Sequence, residues 1–175
     1  MIVLYTIMFV PSLLLIKETK SRLRNLKLGL GSLVLLPVTI GGLALYVFFG
    51  ANALASIPVL NWSWLGYNIA LGPFASTGVL GILPFVPLLV YMLVHVNYFE
   101  EMYFRKNVKL VVIWAFLHIA MGVAVYVVFA LLPLGFLYQR VYFKRGLNHA
   151  YALHFVTNLG VVGIAMLSYF LPKSN

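Results

Sequence analysis

The chain has no cysteine and no aspartate, and only three glutamates stand against 12 Lys plus Arg in 175 residues. Without cysteine there is no disulfide framework, no thiolate metal site and no Cys nucleophile. So few acids argue against a carboxylate-rich Ca²⁺ or Mg²⁺ cage. Charge of either sign is scarce, at 9% of positions, where an ordinary soluble domain carries about a quarter. That leaves too few polar side chains to cover a water-facing surface. What the chain does have is apolar residues, 63% of positions, with a mean hydropathy of +1.03. The expected environment is a bilayer. A net charge of +9 raises nucleic acid as a partner, but the basic residues sit in short clusters between hydrophobic stretches, the pattern of topology signals. The lipid bilayer, and not nucleic acid, is the expected partner.

Apolar and basic stretches alternate along the chain. Residues 1–16 are apolar with no basic residue ahead of them and no evident small-residue cleavage site, so they read as a short or Pro-bent span and not as a cleaved signal peptide. Lys17, Lys20, Arg22, Arg24 and Lys27, opposed only by Glu18, read as a cytoplasmic loop. Residues 28–50 give a second span, and the uncharged stretch 51–64, with Trp62 and Trp64, reads as an external loop with an aromatic anchor. From Gly66 to Phe104 the chain is apolar but broken by Gly72-Pro73, Pro84 and Pro87, which suggests a partial helix and then a span closed by Arg105, Lys106 and Lys109.

The topology turns on residues 110–139. One crossing would carry Arg140, Lys144 and Arg145 outside, whereas a hairpin broken near Gly122 returns them to the side of Arg105 to Lys109. The hairpin is the expected solution, with halves short enough to require tilt or packing inside the bundle. A last span runs from about Asn148 to Leu171. The expected fold is therefore an all-α integral membrane protein, a polytopic helical bundle of about six membrane segments including a short helical hairpin at 110–139. It divides into N-terminal membrane helices (1–65) and a helical core (66–175) within one membrane domain.

Ionisable groups at membrane depth are costly, so each is a site hypothesis. The candidates are His95, Glu100, Glu101, His118, His149 and His154, with Asn97 and Asn158 as polar company. At about 1.5 Å per helical residue, Glu100 lies roughly 7–8 Å inward from Arg105, and His118 and His154 roughly 13–14 Å inward from Lys109 and Arg145. Under the hairpin topology all three approach one depth from the cytoplasmic side. Glu101 and Arg105, at i and i+4 with Glu first, can pair along one helix face. Glu100, rotated about 100° away, is then free to face another helix. A carboxylate sharing a water with an imidazole suits general-base hydrolysis. His154 and Asn158, also at i and i+4, can present two donors to one oxyanion. His149, beside the basic turn, and His95, about 140° from Glu100, read as interfacial or packing residues. Trp114 reads as packing that shapes the wall of the site.

At these residues the chain resembles the CPBP family of CAAX proteases and bacteriocin-processing enzymes, which includes the type II CAAX prenyl endopeptidases. Glu100-Glu101-Met-Tyr-Phe-Arg105 matches its EExxxR motif and His154-Phe-Val-Thr-Asn158 its HxxxN motif, and Trp114-Ala-Phe-Leu-His118 fits FxxxH with Trp in place of Phe. The ordered set covers roughly residues 84–171, about half the chain. The resemblance implies a glutamate-dependent intramembrane endopeptidase. Glu100 would be the base, His118 would help to hold the water, His154 and Asn158 would stabilise the oxyanion, and Glu101 and Arg105 would be structural. Its substrate would be a peptide or prenylated protein, and its site would face the cytoplasmic side of the cell membrane. Family members have been described as metalloproteases, but one Glu, two His and an Asn also form a metal-free set; that set is favoured over a Zn²⁺ site, and no other cofactor is expected. The 18 residues from Glu100 to His118 are fewer than the family usually places there. That spacing keeps open a catalytically inactive scaffold or immunity protein of the same fold. A third alternative, a proton-coupled transporter using Glu100 and the histidines as a relay, is disfavoured because no polar path continues outward through 28–50 or 159–171.

Overall fold

The structure, a computed structural model, describes residues 15–65 and 86–167. The apolar stretch 1–14, the broken segment 66–85 and the end of the last span fall outside the described residues. Those described are helical, with no strand among them. Helix α1 spans Ile16–Leu28. The basic stretch read as a loop is thus a helix, because Lys, Arg, Glu and Leu are strong helix formers and Lys17, Lys20, Arg24 and Lys27 fall on its exposed side. After Gly29 the chain enters a rod: a 3₁₀ segment Leu30–Leu35, α2 over Leu36–Leu45, a π turn Tyr46–Ala51 and α3 over Asn52–Ala55. Pro37 stands in the first turn of α2, where the rod passes from 3₁₀ to α geometry.

The rod, Leu30–Ala55, is one of two helices among the described residues that are long and apolar enough to cross a membrane. Its 26 residues reach about 39 Å, against roughly 30 Å of hydrocarbon. Only 6% of its most apolar window is buried against the protein, so Val34, Phe48 and Phe49 present bare apolar surface. The core helix of a soluble protein would have this surface covered.

A second helical run is built from α4 (Val86–Tyr91), a π turn (Met92–Val96) and α5 (Asn97–Phe104). The π turn opens the backbone ladder, and the Val94 carbonyl accepts a hydrogen bond from the Tyr151 hydroxyl at 2.9 Å. After a tight turn at 105–107, the Asn107 side chain caps α6 (Val108–Leu117) by accepting from the Leu110 N–H at 2.9 Å. A 3₁₀ turn, His118–Met121, carries α6 to Gly122. The chain reverses there and again at Gly146, at φ +85° and +87°, a region that L side chains avoid. Between the two lie a 3₁₀ turn, Val125–Val127, and α7 (Val128–Arg145); α8 (Leu147–Leu167) follows. The expected hairpin is present, but its second arm continues through Arg145, so Arg140, Lys144 and Arg145 stand on a helix. Val125–Arg145 is the second membrane-length apolar helix.

α8 is the hub, packing on α7, α5, α1 and the start of the rod. Ser32 Oγ donates to the His149 carbonyl at 2.7 Å, Thr157 Oγ1 bonds Thr39 Oγ1 at 3.2 Å, and Arg145 Nη1 donates to the Gly31 carbonyl at 3.1 Å. The hairpin tip lies at the other end. There the Val125 and Tyr126 N–H groups donate to the carbonyls of Trp62 and Leu60, Trp64 Nε1 donates to the Ile119 carbonyl at 2.8 Å, and the Tyr46 hydroxyl bonds the Tyr126 carbonyl. Segment 56–65 and the hairpin tip thus meet at one end of the bundle, with the 27–31 turn and Arg145 at the opposite end.

Candidate functional site

Helix α5 directs both adjacent carboxylates inward, but to different partners. Glu101 has no exposed surface; it receives Arg105 Nε at 2.9 Å and Nη2 at 2.7 Å. The i, i+4 pair read from the sequence is therefore formed, fully buried. Trp114 covers the guanidinium face at 4.0 Å, a cation–π contact worth about 0.5–2 kcal/mol. Glu101 also has a partner that sequence reasoning did not supply: His154 Nδ1 lies 2.8 Å from its Oε1. A carboxylate only accepts, so Nδ1 carries the proton and donates.

The rest of the network follows from that tautomer. Asn158 Nδ2 lies 3.0 Å from His154 Nε2 and 3.0 Å from Asn97 Oδ1. One amide hydrogen serves each acceptor, giving a continuous chain from Arg105 through Glu101, His154 and Asn158 to Asn97. His154 and Asn158, expected to aim two donors at one point, here bond each other. Tyr138, almost fully buried, stacks on the His154 imidazole at a centroid distance of 4.8 Å, and Trp114 meets that ring edge-on. Sequence reasoning passed over Tyr138. It left Asn97 as polar company, although helical spacing from Glu100 and Glu101, at i−3 and i−4, could have assigned it to their face.

Glu100 is less enclosed, with 16% of its side chain exposed. Its Oε2 stands 3.7 Å from His154 Nε2, beyond hydrogen-bond length. His118 Nδ1 lies 2.8 Å from the Trp114 carbonyl, which only accepts, so Nδ1 donates and Nε2 keeps its lone pair. Glu100, His118, Asn97, Thr157 and Asn158 share the lining of one cavity of about 300 Å³, whose remaining walls, including Leu43, Leu93, Leu131 and Val161, are apolar. His154, Glu101, Arg105 and Trp114 stand behind that lining. His95 lies elsewhere, buried with Nε2 3.0 Å from Thr19 Oγ1, a packing position. His149 lies at the rod–α8 seam, 3.8 Å from where a Cβ on Gly31 would stand.

His154 has one ring nitrogen on Glu101 and the other on Asn158, and among the described residues no group of three His, Asp or Glu side chains is placed to hold an ion. The Glu100 carboxylate, the His118 imidazole and the Asn158 amide thus face one cavity. No protein-family model, curated protein or solved structure matches the chain.

Proposed function

We propose that the protein is a multi-pass protein of the cell membrane that hydrolyses a peptide bond within the bilayer, near its cytoplasmic side, with Glu100 as general base. The observation that carries this reading is the shared cavity: a partly exposed carboxylate, an imidazole with a free lone pair and an amide donor line one mostly apolar space. Glu100 takes a proton from a water held against His118 Nε2, the water oxygen attacks the scissile carbonyl carbon, and the oxyanion displaces His154 Nε2 as the acceptor of one Asn158 amide hydrogen. Collapse of the adduct breaks the C–N bond as the proton on Glu100 passes to the leaving amine. His154, fixed by Glu101, backs Asn158; a proton on its Nε2 would make that nitrogen a second donor beside the amide. Glu101, Arg105 and Trp114 hold the imidazole in place.

The resemblance to the CPBP family supports the same reading, and the tight turn at 105–107 accommodates the short Glu100–His118 spacing. That turn leaves both side chains on one cavity, which weakens the main argument for an inactive scaffold. The expected substrate is a peptide or prenylated protein segment that enters from the membrane or the cytoplasm, and no metal is required. The purified protein is expected to cleave a quenched prenylated or membrane-spanning peptide. Glu100→Gln is expected to lower the rate at least about a hundred-fold without loss of folded protein. Equal cleavage by the two overturns the proposal.

A further inference from the structure

We propose that the end of α7 carries a second site, separate from the Glu100 cavity, which binds the phosphate of an anionic phospholipid. A concavity of about 200 Å³ lies between Leu35 and α7, lined there by Leu137, Arg140, Val141, Lys144 and Arg145. These five α7 positions, at i, i+3, i+4, i+7 and i+8, share one helix face. Arg145 is anchored by its bond to the Gly31 carbonyl at 3.1 Å, while Arg140 and Lys144 are exposed. None of the three forms an ion pair among the described residues.

The scarcity of acid makes this informative. Of the three carboxylates in the chain, Glu100 and Glu101 belong to the other site and Glu18 stands in the first turn of α1. The helix C-terminus itself offsets only about half a charge, so most of the positive charge of three cations is left for an outside anion. Arginine provides a planar, multidentate donor for phosphate oxygens. The aliphatic side of the concavity, Leu35, Leu137 and Val141, selects the source: a phospholipid presents a phosphate joined to apolar chains, whereas a free phosphate would leave that surface unused. The charge pattern puts this end of the bundle at the cytoplasmic headgroup level, where basic pockets between membrane helices meet anionic lipids. The site does not depend on the proposed hydrolysis, only on residence in a bilayer.

The test is a lipid titration of the full-length protein in detergent, read by native mass spectrometry, with phosphatidylglycerol, phosphatidylcholine and inorganic phosphate as separate arms. Phosphatidylglycerol is expected to bind selectively, with the Arg140→Gln, Lys144→Gln double variant about thirty-fold weaker. The charge-matched Lys20→Gln, Arg24→Gln variant, on the exposed side of α1, is expected to stay within about two-fold of wild type. Should the first double variant not be recovered folded, Lys144→Gln alone is expected to weaken binding about five-fold. Equal binding of the two lipids overturns the proposal, as do equal losses in both double variants. Displacement of phosphatidylglycerol by inorganic phosphate at comparable concentration would make this a site for the free ion and would also overturn it.

Discussion

Glu100 and Glu101 are neighbours in sequence, yet the helix turns them about 100° apart and so divides their work. Glu101 neutralises a buried Arg105 and orients His154. Removing it strands a guanidinium, a loss of about 3–5 kcal/mol for a broken buried pair. Glu101→Ala is therefore expected to lower the unfolding free energy in detergent by that amount, and Glu100→Gln to stay within about 0.5 kcal/mol of wild type. Equal losses would contradict the division. Asn97, whose Oδ1 receives the Asn158 amide, is expected to position Asn158: Asn97→Leu should reduce kcat with little change in KM, and Asn97→Asp, which keeps the acceptor, should recover most of it. At this scale the Glu101–Arg105 pair was legible because both residues lie on one helix. The Glu101–His154 bond was not, because it joins residues 53 apart and depends on how α5 and α8 meet, which local spacing does not encode. The same packing turns Asn158 onto His154, where sequence alone suggested two donors aimed outward.

The hairpin of α6 and α7 was legible at the scale of elements for two physical reasons: its apolar run is broken by a glycine, and charge parity required a return. Its extent was not, because basic residues suggest a loop while the helix continues through them to Gly146. The same bias made a loop of α1. The π turn at Met92–Val96, just before the carboxylates, leaves no local signature, because it answers a tertiary hydroxyl from Tyr151. The contact of α6 with α7 rests on Gly135: a Cβ there would stand 2.8 Å from Val111 Cγ1 and 2.9 Å from the Trp114 ring. Gly135→Val is expected to cost about 1–3 kcal/mol through overpacking and to shift the Trp fluorescence as Trp114 moves off Arg105. An unchanged unfolding midpoint and spectrum would show that the two helices approach less closely than described.

For the whole molecule, the end-to-end arrangement makes a topology prediction. The hairpin tip and segment 56–65 share one end, and Arg145 and the 27–31 turn the other. The lack of native cysteine gives labelling a clean background. Cysteine introduced at Lys144 is expected to resist a membrane-impermeant maleimide in intact cells, and one at Ser56 to react; reaction at Lys144 from outside would reverse the orientation. The membrane reading came from composition alone, and the two helices long and apolar enough to cross a membrane among the described residues agree with it. The catalytic reading is tested most directly by cleaving a membrane peptide in water enriched in heavy oxygen and weighing the products. Wild type is expected to place the label in the new C-terminal carboxylate, and Glu100→Gln, folded equally well, to yield no labelled product. Label incorporated by both proteins at the same rate would contradict Glu100 as the base.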